Sequence, residues 1–156
     1  MSTTQGLLLT AALAAAVALL VLAWRGMGRD WETARQADAG VVEEYCRLVA
    51  SERYREAWER CLSSARRSAA DAASFEAAHR KRREEVGALL GRRLLRVDAS
   101  RNLFSRERRL VLQYELTYAG RSEPRYLVVD DTDGAFLVDG TYTSGAGGDT
   151  LDAFLW

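Results

Sequence analysis

An excess of charge of either sign is missing from this 156-residue sequence, in which 22 lysines and arginines face 22 aspartates and glutamates. With no net field to draw a polyanion or a strongly charged substrate, and no aromatics interleaved with its basic clusters, the chain is not expected to bind nucleic acid. Histidine is nearly absent. His79 is the sole example, and the two cysteines, Cys46 and Cys61, fit no zinc spacing, so neither a metal nor a cofactor is expected. Asp130, Asp131 and Asp133 begin like a calcium loop, but the later glutamate is missing and the segment reads as a hairpin turn. Lys81 is the only lysine, a bias of coding rather than of function. There is no internal repeat and no catalytic signature.

The N-terminus lacks the marks of a cleaved signal. No basic residue stands in the tail 1–6, no small-x-small site follows the apolar run, and that run exceeds the usual signal core. What is there is Leu7 to Trp24, eighteen residues without a charge. As a helix they reach about 27 Å, close to the thickness of a hydrocarbon core. The sequence therefore predicts an uncleaved transmembrane helix over 7–24, ended at the membrane interface by Trp24 and Arg25, with a juxtamembrane linker over 25–40. Arg25, Arg29 and Arg35 follow the span while only the α-amino group precedes it, which by the positive-inside rule places the rest of the chain in the cytoplasm.

Beyond the linker the period is first helical. Val42, Tyr45, Cys46, Leu48 and Val49 make one apolar stripe, and Tyr54, Ala57, Trp58, Cys61, Leu62 and Ala65 a second, meeting near Ser51. A third helix is expected from Ala70 to Leu90, with Phe75, Ala78, Val86 and Leu89 inward and Arg80 to Arg83 as a solvated charged band beside His79. From Arg92 the period falls to two, giving four strands: 93–101, 108–120, 124–131 and 135–143. In the second, Leu110, Leu112, Tyr114, Leu116 and Tyr118 alternate with Val111, Gln113, Glu115 and Thr117, one face on a core and one partly wet. Asp131 to Gly134 supplies a tight turn between the last two. Helices followed by consecutive strands imply an α+β domain over 41–143, three helices and then a four-stranded antiparallel meander. Charge is segregated: Arg66 to Arg109 holds 13 basic and 6 acidic residues, Leu110 to Trp156 only two basic and 8 acidic.

An aromatic-x-x-Ala-Trp helix (Tyr54, Ala57, Trp58), an Arg-x-x-x-Gly with a later Arg (Arg83, Gly87, Arg92), and closing strands with Asp133, Gly134, Phe136, Gly140 and Tyr142 together resemble a bacterial family of unknown function with the cystatin-like, or nuclear-transport-factor-2-like, fold. The resemblance implies a conical sheet around a long helix, often exported, with no agreed activity. The two cysteines, Thr141 between the final Gly and Tyr, and the tail 144–156 depart from that pattern. Cys46 and Cys61 sit on inward stripes of consecutive helices, and either a disulfide or two buried thiols satisfies their spacing. Taken with the exported habit of the family, the pair leans the domain to the periplasmic side of a bacterial inner membrane, against the arginines.

Two functional classes follow. The first is a non-enzymatic single-pass membrane protein acting by contact, an accessory or assembly subunit of a larger membrane complex, with the bilayer and other subunits as partners. The alternative is a small-molecule-binding or acid–base enzyme domain using the cone interior, with Tyr114, Tyr118, Tyr126 and Tyr142 and the strand carboxylates Asp98, Glu115 and Asp139 as its polar groups. In the Gly-rich tail 144–156, Leu151, Phe154 and Leu155 fall at the spacing of one helical turn, with Trp156 closing the chain. These four residues either fold back on the sheet or dock into a partner or at the membrane interface.

Overall fold

The computed structural model describes the backbone of residues 3–101, 108–132 and 135–142, and their side chains except at 3–12, 22, 23, 25–27, 101, 132 and 142. The chain is α+β, with helices first and a four-stranded antiparallel sheet after them. It divides into two compact units, Met1–Thr33 and Ala34–Trp156.

Helix α1 spans Thr3–Ala37, so most of the stretch expected as a linker is helical. Nothing breaks it: Gly26 and Gly28 cost helix propensity but no proline interrupts the run. Of Leu7 to Trp24, the side chains at 13–21 and 24 are described, and every one is exposed. Among the described residues no helix is long and apolar enough to cross a membrane.

In the second unit a π-helical turn, Asp38–Val42, leads into α2 (Glu43–Ala50) and α3 (Tyr54–Cys61), which meet near Ser51 as their stripes require. Glu52 makes the corner at φ 61°, with its N–H donating to the Val49 carbonyl and that of Arg53 to the Leu48 carbonyl. The third expected helix is two. Ser63 caps a short α4 (Ser64–Ala69) by accepting from Arg66 N–H, and Asp71 caps α5 (Ala72–Val86) by accepting from Ser74 N–H at 2.7 Å. Helix α5 ends at Val86 rather than Leu90 because Gly87 takes φ +87°, and strand β1 begins at once, at Leu89.

The strands β1 (Leu89–Arg101), β2 (Arg108–Tyr118), β3 (Ser122–Thr132) and β4 (Ala135–Tyr142) pair in chain order as a meander. The turn at Asp133 and Gly134 lies outside the described residues. Leu110, Leu112, Tyr114, Leu116 and Tyr118 of β2 are all buried, and the residues between them are not. Their face meets Leu48, Phe75, Tyr45 and Val42 from the helical side, in a core where each fully buried leucine contributes about 1.5–3 kcal/mol.

Gly87 fixes the joint between the layers. A Cβ built there stands 2.8 Å from the Ala119 Cβ, while Gly120 N–H donates to the Val86 carbonyl and Ala119 N–H to that of Ala88. Replacing Gly87 with alanine adds both a left-handed strain and a clash against the β2–β3 turn, and is expected to cost about 1–3 kcal/mol. A lowered urea midpoint with unchanged slope will show it; a midpoint equal to wild type would remove this account of the joint.

Candidate functional site

The polar groups worth following lie between the helices and the inner face of the sheet, where register brings them. On β1, Leu94 pairs with Tyr114 and Arg92 with Leu116; on β3, Arg125 pairs with Tyr114 and Glu123 with Leu116. Partners across an antiparallel pair share a face. Charged side chains therefore flank the buried end of β2 on both sides, and each must find a counter-charge or lose its hydration uncompensated.

On the β1 side the counter-charge comes from the π-helical turn. Arg92 Nε donates to Asp38 Oδ1 at 3.0 Å and its Nη1 stands 2.6 Å from Glu43 Oε2, while Tyr114 donates its hydroxyl proton to the same Asp38 oxygen at 2.9 Å. Burial, reinforced by the Asp38 charge, pushes the Tyr114 hydroxyl well above its ordinary range. Cys46 lies beside this group, and burial pushes its thiol up to about 12; Cys61 is raised to about 11 for the same reason. Both cysteines are buried and free in this structure. A thiol so raised is a poor nucleophile.

On the β3 side Glu123 accepts from Arg82 and, at 2.8 Å, from Arg125, with Arg121 3.0 Å from its other oxygen. Burial alone would raise the Glu123 carboxyl, but the hydrogen bonds from Arg82 and Arg125 hold it below its usual range. Arg82 also reaches Glu85 at 3.5 Å.

Between these groups sits His79, and here the sequence reading is corrected. The expected solvated band is not one face: His79 is 2% exposed and Arg82 is buried with it. The imidazole stacks on Tyr54 at 5.4 Å between centroids and 12° between planes, meets Phe75 edge-on at 4.3 Å, and lies with Nε2 3.1 Å from the Tyr45 hydroxyl. Phe75, His79, Arg82 and Val86 are spaced 4, 3 and 4 apart, the true buried stripe of α5. That spacing is the signal the sequence carries; residue type points instead to Ala78 and puts Arg82 in the solvated band, and nothing local marks Asp38.

The remaining candidates are not brought together. Asp98 pairs with Arg96 and Glu115 with Arg93, both exposed; Asp139 accepts from Ser63 at 2.6 Å and from Arg109 at 3.0 Å. Tyr118 is buried, Tyr126 half-buried, and the Tyr142 side chain lies outside the described residues. Arg80 pairs with Glu76 and Arg83 with Glu52. Trp24 is exposed on α1, the Arg25 side chain is outside the described set, and so are Leu151, Phe154, Leu155 and Trp156. Among the described residues no group of three or more metal-binding side chains is assembled.

Among the described residues, cavities open at this layer in two places. One, of about 20 Å³, is lined by Tyr54, His79, Arg82, Gly87 and Tyr118 among others; the second, of about 210 Å³, lies beside Glu43, Cys46, Arg47, Leu90 and Arg92. Both fall below the roughly 300–1,000 Å³ of small-molecule pockets. Comparison with protein-family models, curated proteins and solved structures gives no match.

Burial holds the His79 imidazole far below its usual value, at about 3. The ring takes up a proton at about pH 6.5 in the unfolded chain but not in the fold, so stability is fully present above that value and falls as pH drops from there toward 3, by up to about 1.4 kcal/mol per pH unit. The urea midpoint of the wild type is expected to decline between pH 6.5 and 5, and that of His79→Gln to stay level over the same interval. A level wild-type profile would contradict the buried neutral imidazole.

Proposed function

We propose that this chain is a single-pass membrane protein whose α+β domain works by contact, as an accessory or assembly subunit of a larger membrane complex. The observation that carries the reading is the exposure of α1. Leu13, Val17, Leu19, Leu20, Val21 and Trp24 are all exposed on a helix whose sequence from Leu7 to Trp24 has no polar face. A helix apolar all round needs either a protein core or lipid about it. A bilayer removes that surface from water at about 25 cal/mol for each Å² covered.

We read the domain as a cystatin-like, or nuclear-transport-factor-2-like, cone held at the bacterial inner membrane. Arg25, Arg29 and Arg35 favour the cytoplasmic side, and free thiols suit a reducing compartment, whereas the family resemblance favours the periplasm. In the tail, Leu151, Phe154, Leu155 and Trp156 are the groups assigned to a partner.

The rival reading, an acid–base or ligand-binding interior, loses its support at three points. His79 is neutral and enclosed by aromatic rings, Asp98, Glu115 and Asp139 are each occupied by partners of their own, and the inner layer is filled by Leu48, Phe75, Leu112 and their neighbours.

Alkaline carbonate is expected to leave the full chain in the membrane pellet and to release a chain beginning at Gly26. From mild detergent the full chain is expected to carry other membrane proteins with it, and deletion of Asp149 to Trp156 to abolish that association at unchanged melting temperature. Release of the full chain by carbonate would end the anchor reading; a full chain that always runs alone and monomeric would end the contact reading.

A further inference from the structure

We draw no further inference here: the strongest candidate, the β1 edge of the described sheet with its exposed Leu90 and Leu95, carries nothing because nothing in the structure shows what covers it.

Discussion

The alternation along β2 is the constraint on which the rest of the domain depends. Five side chains, Leu110, Leu112, Tyr114, Leu116 and Tyr118, must leave water on one face of a strand that already has neighbours on both sides. A one-residue slip would turn all five outward, so register is strongly specified. The helices α2, α3 and α5 are the cover this face demands, and the antiparallel pairing then dictates what else comes inside. Arg92, Glu123 and Arg125 are interior because they stand opposite Leu116 and Tyr114, not because burial suits them.

Most of the chemistry at the interface is a response to that placement. Asp38 binds Arg92 and the Tyr114 hydroxyl together, and Glu123 binds three arginines, so both carboxylates are spent on compensating charges that register has buried. Buried ion pairs of this kind recover their desolvation cost without adding much stability, while loss of one partner is expensive. Glu123, held below its usual range by Arg82 and Arg125, is a poor base. Cys46 and His79, which in another setting would invite catalysis, are neutral at ordinary pH because burial opposes their charged forms.

Much of this was legible in the sequence, and the failures have a common cause. The helix order, the corner near Ser51, the four strands and the inner face of β2 all follow from local periodicity, which needs no knowledge of distant residues. His79 and Arg82 were misplaced because residue type was weighed above position, although Phe75, His79, Arg82 and Val86 keep the helical spacing without a gap. The stop at Gly87 was missed because its need for glycine comes from Ala119, across the β2–β3 turn. Asp38 was passed over as part of a linker, since its partners lie 54 and 76 residues away and nothing local announces them.

The two edges of the sheet differ in a way that bears on a protein working by contact. The β4 edge is occupied: Leu62 bridges to Val138 in parallel, Ser63 N–H donates to the Val138 carbonyl at 2.8 Å, and the Ser63 hydroxyl holds Asp139. The β1 edge has no fifth strand in the described sheet, and it presents Leu90, 68% exposed, and Leu95, 42% exposed, the latter between Arg93 and Arg96. Charges spaced along an edge discourage indiscriminate strand pairing while leaving its backbone groups accessible. Arg93 and Arg96 are themselves answered by Glu115 and Asp98, so this edge carries paired charges along its length.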